Sequence, residues 1–228
     1  MFWTSIGISI IFFLGLFLVF LLLASIQKKS LRGLPAAYDI KKDVSPREFC
    51  LIILLSLLCI VSFILLQSAF VEFFVYLGYN QSQSNVAIDT FYKYLVALIV
   101  MAVLPAVVEE LLFRGVILQG LMRFGPITAV IVSAMLFSLF HLSLSQTVYQ
   151  FILGIIFAVL YLRTRNLTYP ILLHFFNNAF TLTVMYAMND GGDDFTFNSM
   201  STASLVILAV IGSAAIIGIL MLFRRHRP

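Results

Sequence analysis

Seven apolar runs set the terms for this chain: Thr4–Ile26, Phe49–Tyr79, Phe91–Arg123, Pro126–Leu142, Val148–Arg163, Thr168–Met188 and Thr202–Phe223. A helix needs about 20 predominantly apolar residues to cross the hydrocarbon core of a bilayer, and most of the runs reach that length. They predict an all-α fold, a polytopic transmembrane helical bundle of about seven helices. The count becomes eight if Phe91–Arg123 is broken in two, because that run contains Pro105, which lacks a backbone donor and can kink or break a helix. Composition points the same way. Of the 228 residues, 62% are hydrophobic and 11% charged, against about 45–50% and about 25% in ordinary soluble domains. One integral-membrane domain over residues 1–228 is expected, with its catalytic core at about 91–188 and no internal repeat or soluble domain.

The distribution of lysine and arginine predicts orientation. Lys28, Lys29, Arg32, Lys41, Lys42 and Arg47 lie between the first two runs, Arg163 and Arg165 follow the fifth, and Arg224, Arg225 and Arg227 end the chain. The stretches "YNQSQSNVAIDT" and "NDGGDDFTFNS" carry acids and no base. Basic loops in the cytoplasm then put the N-terminus outside and the C-terminus inside, which requires an odd number of crossings. Parity thus favours one long, tilted or kinked element over Phe91–Arg123. The first run has no basic residue before it and its end, "LLLASIQKK", offers no A-x-A-like cleavage site, so a retained span is expected rather than a signal peptide. The net charge of +4 fits contact with anionic lipid in the bilayer, and no nucleic-acid partner is expected. Cys50 and Cys59, nine residues apart in one apolar run, fall on opposite sides of a helix and predict no disulfide.

Against this apolar background the stretch "PAVVEELLFRG", Pro105 to Gly115, is an anomaly. Each intramembrane charge costs at least about 2.5–3.5 kcal/mol on insertion scales. Two further polar clusters interrupt the spans: Phe137 with His141, and His174 with Asn178. Within each cluster the spacing is four residues, which puts the pair on one helix face. Glu110 and Arg114 can pair along their own helix, leaving Glu109 on an adjacent face. Counted from the turns at about 1.5 Å per residue, Glu109 and His141 both lie roughly 21–23 Å above the "RFGP" turn. His174 and Asn178 lie roughly 12 and 18 Å above Asn166. Three helices therefore bring polar groups to comparable depth.

The residue types suit hydrolysis by activated water. A carboxylate shielded from solvent can act as general base near neutral pH, and an imidazole can share the proton. Histidine and asparagine can donate to a developing oxyanion. There is no nucleophile elbow, no Gly-rich phosphate loop and no H-E-x-x-H. A bland alternative applies to Glu110 and Arg114, since such a pair can simply lock helices together. A zinc alternative also stands, because Glu109, His141 and His174 form a possible His2Glu ligand set. Phe137, one of 23 phenylalanines, is expected to serve packing rather than chemistry.

In order along the chain, "EELLFR" (Glu109–Arg114), "FSLFH" (Phe137–His141) and "HFFNN" (His174–Asn178) resemble the three motifs of the CPBP family, the CAAX-protease and bacteriocin-processing intramembrane endopeptidases, also called Abi. The resemblance covers about Pro105 to Asn178. It implies a glutamate-dependent, metal-independent intramembrane protease with no cofactor. Glu109 and His141 would activate water, His174 and Asn178 would form the oxyanion hole, and Glu110 and Arg114 would support the site. It further implies a peptide or small membrane-protein substrate in a bacterial plasma membrane. Compact bacterial members are linked to leader-peptide removal, pheromone maturation and bacteriocin self-immunity. The prenyl-protein branch is described with eight helices, against seven runs here, so prenylated CAAX proteins are not singled out. Two rivals from other classes use the same residues: a non-catalytic peptide-binding immunity or chaperone-like protein, and an ion-coupled transporter, which would predict inverted repeats absent from this sequence.

Overall fold

The computed structural model describes residues 1–27, 38–40, 43–78, 88–189 and 202–223, with the side chains of 63–69, 71–72, 145, 188–189 and 202–209 left aside. Among the described residues there are seven helical rods and no strand. They are α1 (Phe2–Ile26), α2 (Pro46–Tyr76), α3 (Phe91–Phe124), α4 (Pro126–Phe140), α5 (Leu144–Thr164), α6 (Thr168–Asn189) and α7 (Thr202–Leu222). Of these, α1, α3 and α5 contain stretches long and apolar enough to cross a bilayer, and α4 and Val210–Leu222 of α7 are shorter apolar helices. The chain is an all-α integral membrane protein. Most of the loop charges that predict its orientation, including 28–37, 41–42, 79–87, 190–201 and 224–228, lie outside the described residues.

The rods follow the apolar runs, and their ends differ for local reasons. Helix α2 starts at Pro46, three residues before the apolar run, because Ser45 and Glu48 form a reciprocal capping box. The Ser45 hydroxyl accepts from the Glu48 amide at 3.3 Å, and the Ser45 amide donates to Glu48 Oε2 at 3.1 Å. Pro46 takes a first-turn position, where no amide donor is needed. The α3–α4 turn is made by Gly125 at φ +95°, a conformation that glycine adopts without Cβ strain. Pro126 then opens α4.

Helix α3 runs unbroken through 34 residues, so Pro105 does not divide it. Its pitch changes instead. An α-helical turn set, Phe91–Ala97, is followed by a π-helical stretch, Leu98–Val103, then by α turns at Leu104–Glu110, which hold Pro105 in their first turn. A second π stretch, Leu111–Leu118, leads to a short 3₁₀ end at Met122–Phe124. Widening the helix just before a proline relieves the clash of its ring with the preceding turn. In hydrocarbon, helices gain little from apolar burial against one another, so close packing holds them together. Helix α3 packs against α1, α4, α5 and α6, and α4 lies along α5. The α4–α5 seam is tight where Gly154 meets Ala134: a Cβ on that glycine would stand 3.0 Å from the Ala134 Cα.

Candidate active site

The polar groups of the second π stretch and the α turns before it meet inside this packing. Glu110 and Arg114 are completely buried, and Glu109 and His174 are each 4% exposed. Arg114 Nη1 donates to Glu110 Oε1 at 2.7 Å, the pairing that their spacing predicts. Across the helix interface, His174 Nδ1 lies 3.0 Å from the same oxygen. Arg114 Nη2 reaches the Gly154 carbonyl of α5 at 3.1 Å. Three helices are thus tied by one carboxylate and one guanidinium.

Aromatic rings complete the enclosure. The guanidinium stands 4.5 Å from the Phe137 ring centroid and 5.1 Å from that of Phe157, within cation–π range. The His174 ring stacks on Phe157 at 5.2 Å with 25° between planes. Phe137 meets His174 edge-on at 5.9 Å and His141 at 5.0 Å. Phe137 is therefore packing, as its residue type predicts, and it also forms the wall shared by Arg114 and both imidazoles.

The remaining candidates are held differently. Glu109 Oε2 is buried and has no hydrogen-bond partner. His141 stands in the turn beyond α4, which ends at Phe140, two residues before the end of its apolar run. Its Nδ1 lies 2.8 Å from the Phe137 carbonyl, one of the acceptors a helix end leaves free. Asn178 Nδ2 approaches the Met101 carbonyl at 3.4 Å. That carbonyl lies four residues before Pro105, which has no N–H to give it. The structure thus joins His174 to Glu110 directly and through it to Arg114, brings His141 to the Phe137 ring that His174 also meets, and links Asn178 to the backbone of α3. No hydrogen bond joins Glu109 to His141 or His174.

Several members of the site escaped the sequence reading. Phe157 carries no motif signal among so many phenylalanines. Gly154 acts through its carbonyl, which no side-chain pattern reports. Asn177, beside Asn178 in "HFFNN", donates to Tyr149 Oη at 2.7 Å and pins α6 to α5. The π stretches leave no signature except the nearby proline. Among the described residues no group of three His, Cys, Asp or Glu side chains is placed to hold a metal.

Comparison with known proteins bears on the same region. Residues 91–180 match the family model for type II CAAX prenyl endopeptidase Rce1-like proteins. This segment is similar to that family. It contains all three motifs and every polar group just described. The chain is also 27% identical over 114 residues to YdiL of Bacillus subtilis (strain 168), named as a candidate membrane peptidase. That match covers 49% of this chain and 47% of YdiL, so the chain spans about half the length of this relative. No solved structure matches. Helices α1, α2 and α7 lie outside residues 91–180.

Proposed function

We propose that this chain is an intramembrane endopeptidase of the CPBP type, hydrolysing a peptide bond in a small membrane-associated peptide or protein with water activated by glutamate and histidine. One observation supports this above the others. Beside the hydrogen-bonded Glu110–Arg114–His174 cluster, in which Glu110 Oε2 and Arg114 Nε are also left open, the bundle buries a second carboxylate, Glu109, whose Oε2 has no hydrogen-bond partner. A helix lock needs the pair and gains nothing from the extra charge. A hydrolase needs a carboxylate whose lone pairs are free for water.

In the proposed mechanism Glu109, with His141, takes a proton from water as its oxygen adds to the scissile carbonyl. A carbonyl can only accept, so the His141 nitrogen facing Phe137 carries the hydrogen and Nε2 is left as the basic atom. His174 and Asn178 donate to the oxyanion, a contribution of about 2.7–4 kcal/mol per donor where it has been dissected. Glu110 orients His174 through Nδ1, as a buried carboxylate orients the histidine of a Ser-His-Asp triad. Collapse of the tetrahedral intermediate passes a proton to the leaving amine. The protein sits in a bacterial plasma membrane with its N-terminus outside and C-terminus in the cytoplasm. No metal takes part.

The deciding comparison is between wild type and Glu109→Gln, purified into vesicles and also expressed in the native strain. The expected outcome is an inserted, folded variant that cleaves about 10²–10⁴-fold more slowly, with precursor peptides accumulating in the strain's proteome. Full activity of the variant discards the mechanism. Loss of wild-type activity to a chelator, restored by zinc, replaces it with the metal version. Retained biological function in His141→Ala or His174→Ala favours a peptide-binding protein without turnover.

A further inference from the structure

The three helices of the buried cluster meet a second time, nearer the α5–α6 turn, on a segment that belongs to none of them. Tyr38, Asp39 and Ile40 lie between α1 and α2 in the chain. Tyr38 is completely buried, its ring 5.3 Å from that of Phe20 on α1. The same ring meets α3 at Gly115, the residue after Arg114: a Cβ on that glycine would stand 2.9 Å from Tyr38 Cδ1. The ring therefore seats on the backbone of the second π stretch, where only glycine lets it approach.

Asp39 makes the polar part of the contact. The Tyr161 hydroxyl of α5 donates to its Oδ2 at 2.8 Å, and Gln119 of α3 donates to the same hydroxyl. The Asp39 carbonyl accepts at 2.8 Å from the amide of Leu167, the residue before α6. Asp39 adopts φ +54°, a left-handed conformation in which aspartate is enriched over most side chains.

Each anchor lies one or two turns from a member of the cluster. Gln119 is five residues from Arg114, Tyr161 four from Phe157, and Leu167 seven from His174. Spacings of four and seven keep Tyr161 on the face of Phe157 and Leu167 on the face of His174. In hydrocarbon, hydrogen bonds between helices select among rotations that apolar contact treats alike. We propose that Tyr38 and Asp39 are positioning residues: they fix the rotation of α3 against α5 and α6, and through it hold Arg114 and His174 on Glu110 Oε1. Both stand outside residues 91–180, the segment with a family match. The effect of this brace on turnover rests on the endopeptidase reading, whereas its geometry does not. Displacing a reacting group by about 1 Å can cost about 10²-fold in rate.

The test compares Tyr38→Ala with Tyr38→Phe, each full-length in lipid vesicles. The readouts are ¹⁵N NMR of histidine-labelled protein and cleavage of the precursor that accumulates in the Glu109→Gln strain. The chain has three histidines, and His174→Gln identifies the signals of His174. Tyr38→Ala is expected to shift those signals and to lower kcat about 10²-fold per folded molecule, with KM little changed. Tyr38→Phe keeps the ring and should restore most of both. Ile216→Ala, a buried truncation on α7, which packs against α2, controls for lost stability alone and should leave His174 unmoved. Wild-type His174 signals in Tyr38→Ala, or an equal shift in Ile216→Ala, overturn the positioning role. Where Tyr38→Ala does not fold, Tyr161→Phe decides. It removes only the hydroxyl between Gln119 and Asp39; a smaller shift of His174 is expected, and no shift overturns the proposal. Shifted His174 signals in Tyr38→Ala alongside a wild type that cleaves no peptide would keep the positioning role and sink the endopeptidase reading.

Discussion

Helices α1 and α3 are both long, apolar and plain in the sequence, yet they serve opposite surroundings. Of the most apolar stretch of α1, 17% is buried by protein, against 56% for α3. Helix α1 turns Phe13, Leu16, Phe20 and Ala24 to the bundle and leaves Ile11, Leu14, Leu18 and Leu22 exposed. It carries no charged residue, while α3 carries Lys93, Glu109, Glu110, Arg114 and Arg123. The lesson is that apolar content says a helix lies in the membrane, and buried charge says which helix the others surround. Lipid is as apolar as leucine, so only a polar group discriminates between a lipid neighbour and a protein one.

That contrast can be broken, most severely at Arg114. Arg114→Leu leaves Glu110 as an uncompensated buried anion and should destabilise the protein by about 3–5 kcal/mol, read from thermal unfolding in detergent. Replacing both members, Glu110→Gln with Arg114→Met, should recover much of that loss. A smaller effect is expected at Asn178. If its amide meets the oxyanion, Asn178→Ala slows turnover by about 10²–10³-fold with KM little changed, in a vesicle assay with the accumulated precursor as substrate. Failure to fold would point instead to its bond with the Met101 carbonyl as its main role. Phe137→Leu keeps an apolar core but removes the ring beneath the guanidinium, at about 2 kcal/mol for a desolvated cation–π contact, again by unfolding. The mildest change is on the other helix. Leu18→Phe on the exposed face of α1 should alter stability by no more than about 0.5 kcal/mol, and a large effect there would show that α1 meets protein rather than lipid.

Much of the architecture could be read in advance because the bilayer demands runs of fixed length. The limits of α3 and α6 follow their apolar runs closely, and the Glu110–Arg114 pair follows from helical spacing. Departures occurred where short-range polar bonds outweigh hydropathy. Ser45 and Glu48 start α2 early, and Ser143 starts α5 early by accepting from the Gln146 amide and the Thr147 hydroxyl at 3.1 and 2.8 Å. At the site, the sequence marks the side chains that carry charge and is silent on those that hold them. Phe157, Asn177 and the Gly154 carbonyl enter only through contacts between helices far apart in the chain.

By itself the sequence determined that this protein is a helical bundle in a membrane and that its interior contains two carboxylates, a guanidinium and two imidazoles. Hydrocarbon leaves a chain of this composition no other way to satisfy its backbone. Which carboxylate meets the histidine was decided by tertiary structure alone. Spacing on one helix treats Glu109 and Glu110 as adjacent residues on adjacent faces. The π turns of α3 and its docking against α6 give His174 and Arg114 to one oxygen of Glu110 and neither of them to Glu109. Such a choice depends on the rotation of one helix against another, and no local pattern in the chain encodes that angle.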